Sequence, residues 1–179
     1  MLFCFSKENS AVFHGHLSLI EIFSMSLRRA LIPVMYTKGF NPLAKLEFAS
    51  CLSTGISSDM EYAIADFSEN FSADDFINNL NLNLPEGITI KNAEIFYIKS
   101  GSKKKSLSSL LWGFSYVNNE KLDYVSFNTE KQYRQNRIDE GSKSLFYLRR
   151  NEVLAKNIID DSKEWASYFD VYNHLYSSK

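Results

Sequence analysis

HGHLSLIEIFSMSLRRALIPVMYTKGFNPLAKL, residues 14–46, is a helix-forming pattern that runs straight into a loop punctuated by glycine and proline. Leu17, Ile20, Phe23, Leu27 and Leu31 recur at spacings of three and four, which predicts a helix over 16–31 with one apolar face. Ser18 and Glu21 have capping-box spacing, and Gly15 is an equally good start. Arg28 and Arg29 fall in the last turn, where cations favour the negative end of the helix dipole. Pro33 stops the helix, because it lacks an amide hydrogen and disfavours helical geometry at Ile32. Tyr36 to Pro42 must then be loop: Gly39 is free to take positive φ, and Asn41-Pro42 starts turns. Four residues here are basic (Arg28, Arg29, Lys38, Lys45), Tyr36 and Phe40 are aromatic, and no acid lies between Glu21 and Glu47. That mixture marks a binding surface rather than a spacer.

Working outward, the apolar run Leu2 to Ser6 predicts a strand before the helix. Lys45 to Leu52 alternates, with Leu46, Phe48, Ser50 and Leu52 on one side, as a half-buried strand does. Gly55 turns the chain, and Glu61 to Phe67 supplies the partner strand of a hairpin. Ser72 with Asp75 caps a second helix carrying Phe76, Ile77 and Leu80, and Ile88 to Ile98 follows the Pro85-Glu86-Gly87 turn as a strand. The order strand, helix, strand, strand, helix, strand is the split βαβ arrangement of ferredoxin-like folds, an antiparallel sheet with two helices on one face.

The expected class is therefore α+β: a ferredoxin-like domain over 1–99, a basic linker over 100–106, and a smaller α+β subdomain over 107–179 that ends in a helix. In that second part Ser108 to Asn118 is strand or helix, Lys131 to Ser144 an exposed loop, and Leu145 to Leu148 a short strand. Ser162 to Tyr176 reads as a helix with Trp165, Phe169, Tyr172 and Tyr176 as an aromatic stripe.

With 179 residues, 45% of them apolar, the chain can bury one good core. A formal net charge of −1 excludes nucleic-acid binding through bulk charge, so a polyanion site has to come from local segregation. No Lys or Arg occurs between Lys45 and Lys91, an interval that holds Glu47, Asp59, Glu61, Asp66, Asp74 and Asp75; Lys99, Lys103, Lys104 and Lys105 form a second basic cluster. In a ferredoxin-like fold the two basic clusters can share one face. With Tyr36 and Phe40 available to stack bases, this gives the expectation of a phosphate or RNA-backbone site.

No apolar run approaches the ~18 residues that span a bilayer. The start, MLFCFSKENS, places polar residues where a signal peptide would continue its apolar core, so the expected location is cytoplasmic, with no membrane partner. Cys4 and Cys51 both sit in apolar, strand-like contexts and read as packed thiols. Two cysteines cannot hold a four-thiolate iron–sulfur cluster, and no cofactor is expected.

His14 and His16 have i, i+2 spacing, which would suit a metal only in extended chain; a helix starting between them destroys that geometry. No H-E-x-x-H pattern, phosphate-binding glycine loop or Gly-x-Ser-x-Gly elbow occurs. No metal site and no catalytic set are expected. His16, near Arg28 or Lys38, is the single candidate for acid–base work, against the plainer role of ordering the helix start.

The chain resembles an uncharacterised bacterial family, the radical-SAM-linked proteins, encoded beside or fused to radical S-adenosylmethionine proteins. The resemblance rests on Phe13-His14-Gly15-His16-Leu17, Arg28-Arg29-Ala30, Pro33-Val34, Lys38-Gly39-Phe40-Asn41-Pro42, Glu61-Tyr62 and Leu84-Pro85-Glu86-Gly87-Ile88. It covers roughly the first hundred residues and is faint beyond them. Ser18 stands where the family pattern has Asp, Gly15 where it has Ser, and Leu43-Ala44 where it has His-Pro. What remains (His16, Arg28, Arg29, Tyr36, Lys38, Gly39, Phe40, Asn41, Pro42 and Lys45) suits binding better than chemistry. The expectation is a non-catalytic accessory module that presents RNA or another phosphate-bearing substrate to a radical-SAM partner. A metal-independent endoribonuclease built on a ferredoxin-like fold, and a protein-docking adaptor using the aromatic stripe, are the alternatives.

Overall fold

Leu2–Lys7 (β1) is buried along its whole length, which a strand can be only when both faces of its sheet are covered. The computed structural model, which describes residues 1–98, 103–118, 121–139 and 148–176, shows how both faces are covered. Ile88–Glu94 (β4) and Ser57–Ala65 (β3) flank β1, each antiparallel to it. The outer edge of β3 is divided between two strands. Leu46–Phe48 (β2) pairs antiparallel with its end, Leu46 opposite Ala65, while Arg149–Lys156 (β7) pairs parallel with its start, Ser57 opposite Arg149. Beyond β7 lie Leu111–Asn118 (β5) and Lys121–Ser126 (β6), and the short Trp165–Ala166 (β8) also pairs with β7. Among the described residues this makes one eight-stranded sheet in the order β4-β1-β3-β7-β5-β6, with β2 on β3 and β8 on β7.

The first part keeps the expected βαββαβ order, with His16–Arg29 (α1) and Ala73–Asn81 (α2) between the strands. The α+β class, the mostly antiparallel sheet and the terminal helix stand as read. Alternation along β1 then separates two cores. Phe3 and Phe5 meet Leu19, Phe23 and Leu27 of α1 and Phe76 and Leu80 of α2. Leu2 and Cys4, on the opposite face with Tyr62 and Ile64, meet Leu107 and Leu110 of Leu107–Leu110 (α3) and Tyr168, Val171 and Tyr172 of Tyr168–Tyr176 (α5). The residues from Lys103 onward thus extend the sheet and cover the face that the first two helices leave open.

Several local readings are corrected. The buried face of α1 is Leu19, Phe23, Ser26 and Leu27, and Leu17 and Leu31 are exposed. Ser26 hides that face from the sequence: it is polar but buried, its hydroxyl donating to the Asn83 carbonyl at 3.0 Å. Leu31 lies past the helix end at φ +53. The strand expected over 45–52 shortens to β2, because β7 takes the rest of the edge, and Cys51 is exposed rather than packed. The strands expected over 61–67 and 88–98 run instead over 57–65 and 88–94.

The segment expected as loop over 131–144 begins as a polar helix, Glu130–Asp139 (α4), anchored where the Tyr133 ring meets that of Tyr116 and its hydroxyl donates to Asp123. Of the strand expected at 145–148, residues 145–147 lie outside the described residues, and the strand that is present is β7. The terminal helix starts at Tyr168, not Ser162. Trp165 is a strand residue opposite Lys156, its ring stacked on Tyr124 at 4.5 Å. The turn before it is set by side chains: Asn157 Oδ1 accepts from the Ile159 amide and Asp160 Oδ1 from the Ser162 amide. Phe169, Tyr172 and Tyr176 do lie on the terminal helix, and Trp165 alone of the stripe does not join it.

Candidate functional site

From the end of α1 the chain turns so that Ile32 and Val34 bury, and Val34 bridges to Phe67. Residues 34 to 45 then fold back on themselves as a hairpin arm. Its rungs are a bridge between Tyr36 and Ala44, the Thr37 amide donating to Leu43 O at 2.8 Å, and the Lys45 amide donating to Met35 O at 2.8 Å. Thr37 Oγ1 accepts from the Leu43 amide at 3.0 Å, closing the tip. Gly39 sits there at φ +144, a conformation side-chain-bearing residues avoid. Tyr36 packs partly into the core beneath α1. Lys38, Gly39, Phe40, Asn41 and Pro42 are all exposed, and Phe40 stands wholly in water. Met35 and Leu43 on the same arm are exposed as well, and several bare apolar side chains on one projection, unlike a single one, point to a contact surface.

The structure thus brings Tyr36 to Lys45 together in one projection. Arg28 and Arg29 are exposed in the last turn of α1, and Arg29 lines a groove with His14, Leu82 and Pro85. Of the second basic cluster, Lys104 reaches the base of the arm: its Nζ donates to Asp66 Oδ1 at 2.7 Å, and Lys104, Asp66 and Met35 line one cavity of about 560 Å³. Lys99 lies outside the described residues.

His16 goes elsewhere. It lines a cleft of about 720 Å³ between the start of α1, the chain from Leu46 to Cys51, and the wall formed by β5 and the β6–α4 turn. The rings of Phe48, Trp112, Phe114 and Phe127 line it, with Cys51, Glu130 and Lys156 among its polar residues. The His16 ring stands edge-on to Phe48 at 5.6 Å. Its Nδ1 is buried and has no hydrogen-bond partner among the described residues. An unpaired buried donor or acceptor costs ~1–3 kcal/mol. His14 and His16 line different grooves and form no pair.

Behind the cleft lies an ion cluster that reading the sequence missed. Arg150 of β7 is wholly buried; its Nη1 donates to Glu61 Oε1 at 3.0 Å and to Ser50 Oγ at 3.1 Å, and its Nη2 to Glu130 Oε1 at 3.0 Å. The guanidinium covers the Phe114 ring at 3.9 Å, and the Tyr116 hydroxyl donates to Glu130. Burial by itself would lower the Arg150 pKa, but Glu61, Tyr116 and Glu130 outweigh it and hold it above the usual arginine range. Burial raises the Tyr116 phenol likewise. Arg150 and the Tyr116 phenol therefore keep their protons at neutral pH, and their hydrogen bonds tie β5, β7, β3 and α4 together behind the cleft. Its only sequence signal was the Arg149-Arg150 pair at the start of β7, which does not say which arginine buries, and its partners come from distant parts of the chain. Among the described residues no group of three or more His, Cys, Asp or Glu is placed to hold a metal, and no helix is long and apolar enough to cross a membrane.

A family described as "Uncharacterized protein conserved in bacteria (DUF2344)" matches residues 1–177. The chain belongs to this family. The DUF2344 match carries past the first hundred residues, where the residue-level likeness fades, and takes in β5, β7 and α5. Both walls of the cleft, as well as the hairpin arm, therefore fall inside the family's span. No curated protein matches the chain.

Proposed function

We propose that this member of the DUF2344 family is a non-catalytic binding module that presents RNA, or another phosphate-bearing substrate, to a radical-SAM partner. The observation that carries the reading is the hairpin tip: Phe40 is bare, beside Lys38, on an arm whose rungs hold the tip out from the sheet. An exposed ring offers a stacking platform for an unpaired base, and Lys38 and Lys45 offer charge to the backbone beside it. Arg28 and Arg29 extend the same basic segment along the last turn of α1. The partner enters through the resemblance of the loop signature to radical-SAM-linked proteins, and the chain's own contribution is to bind and orient.

Fluorescence anisotropy with a labelled single-stranded RNA tests the binding half. Affinity falls steeply as salt rises, because phosphate contacts release counterions, and it falls again in the Arg28→Ala/Lys38→Ala double variant. Binding that ignores salt, or no binding by the folded wild-type chain at low salt, removes the reading. A pull-down from the native host with protein and RNA both identified tests the other half; recovery without a radical-SAM protein removes the partner.

A further inference from the structure

The cleft between the start of α1 and β5 takes no part in the hairpin reading and has the features of a ligand pocket in its own right. Its volume of about 720 Å³ lies within the ~300–1,000 Å³ range of small-molecule sites, which are mostly apolar with a few converging polar groups. Phe48, Trp112 and Phe127 supply flat walls, and Phe114 is held in place from behind by the Arg150 guanidinium. The buried Nδ1 of His16 is a polar atom without a partner among the described residues. Of the charged side chains on the lining, Glu130 is already engaged by Arg150 and Tyr116. Lys156 is exposed, and its Nζ donates to the Ser109 carbonyl at 3.3 Å. Aromatic walls, one unsatisfied imidazole nitrogen and one available ammonium are complementary to a flat ring with a polar ring atom and an acid.

We propose that this cleft binds a small planar aromatic molecule bearing an acidic group, its ring between the aromatic walls, a polar atom on His16 and the acid toward Lys156. A nucleoside monophosphate and an aromatic carboxylate share that chemistry, and the test separates them.

Trp112 reports from inside the cleft, and the other tryptophan, Trp165, stacks on Tyr124 and lines a different groove. The full chain carrying Trp165→Phe is titrated with adenosine monophosphate and, separately, with 4-hydroxybenzoate, following Trp112 emission and the rate at which Cys51, also on the lining, is alkylated. The expected result is a saturable emission change with at least one probe, at a dissociation constant of about 1 mM or tighter, together with slowed alkylation of Cys51. Adenosine and phenol, which lack the acid, bind more weakly than their counterparts. Saturation by the nucleotide alone assigns the acid to phosphate; saturation by the benzoate alone assigns it to carboxylate. His16→Phe, which keeps the ring against Phe48 and loses the nitrogens, and Lys156→Gln each weaken binding at least about tenfold. Lys156 is exposed, so its variant carries the test even where His16→Phe fails to fold. Absence of saturation by both probes, or wild-type affinity in the folded variants, overturns the proposal.

Discussion

Arg150 on β7 donates through Nη1 to both carboxylate oxygens of Glu61 on β3, at 3.0 and 3.3 Å, across the parallel pairing that joins the two parts of the sheet. Both side chains are almost completely buried. Removing one member strands the other in the interior, which costs ~3–5 kcal/mol where a buried pair is broken. Glu61→Ala is therefore expected to lower unfolding free energy by about that amount in urea titrations. A loss below about 1 kcal/mol would show that Glu130 alone compensates the arginine.

The hairpin tip makes the opposite forecast. Phe40 contributes nothing to either core, so Phe40→Ser changes stability by no more than about 0.5 kcal/mol while weakening RNA binding severalfold. Thermal melts and anisotropy on the same preparation check both halves; a destabilised variant would mean that the ring packs in solution.

Lys7 gives a pH dependence. It is fully buried on β1, and its ammonium donates to the carbonyls of Val12, His14 and Ser53. Burial pushes the amine down from 10.5 to about 8, with Glu61 opposing the fall and Arg150 adding to it. Between those two values the folded chain holds fewer protons at this site than the unfolded chain, so this group makes stability rise with pH. Burial pushes the Cys4 thiol up from 9.0 to about 11, which acts in the other direction above pH 9. The comparison of wild type with Lys7→Met cancels that second effect. The gap in melting temperature is expected to move in favour of the wild type as pH climbs from 8 toward 10; a constant gap would refute the depressed amine.

The two thiols should separate cleanly. Cys51 is exposed, whereas Cys4 is buried with its pKa raised to about 11. Since the thiolate is the reactive form, a disulfide reagent at neutral pH is expected to titrate one thiol in the native protein and the second only after denaturant is added. Two fast thiols would place Cys4 in a mobile strand.

What could be read from sequence was what neighbouring residues decide. The Ser72 cap on α2, whose hydroxyl accepts from the Asp75 amide, and the βαββαβ order follow from residues a few positions apart, whereas α1 ends at Arg29, with Leu31 at positive φ, before Pro33 can stop it. The break in regular structure from Tyr36 to Pro42 is local too, though not its folding back on Ala44 and Lys45 as a hairpin arm. The parts that escaped are those fixed at long range. Nothing near Cys51 says that β7 will displace the second half of its expected strand, and nothing near Lys131 says that Tyr133 will find Tyr116 and draw a polar stretch into a helix. His16 was singled out for its place at the start of α1, but its cleft is made with Trp112, Phe127 and Lys156, which no local pattern could gather.

The brevity of β2 has a consequence for how the protein is made. With three residues on β2, the nascent chain can assemble β1 to β4 once Glu94 has emerged, yet half of one edge of β3 then waits for a strand near the other end of the chain. Until β7 emerges, Ser57 to Met60 offer open hydrogen-bonding groups, and Leu2, Cys4, Tyr62 and Ile64 lie uncovered on the adjoining face. An unpaired edge beside bare apolar surface invites association with other nascent chains. Synthesis speed and chaperone supply, more than the stability of the finished sheet, would then set how much of this protein a cell recovers.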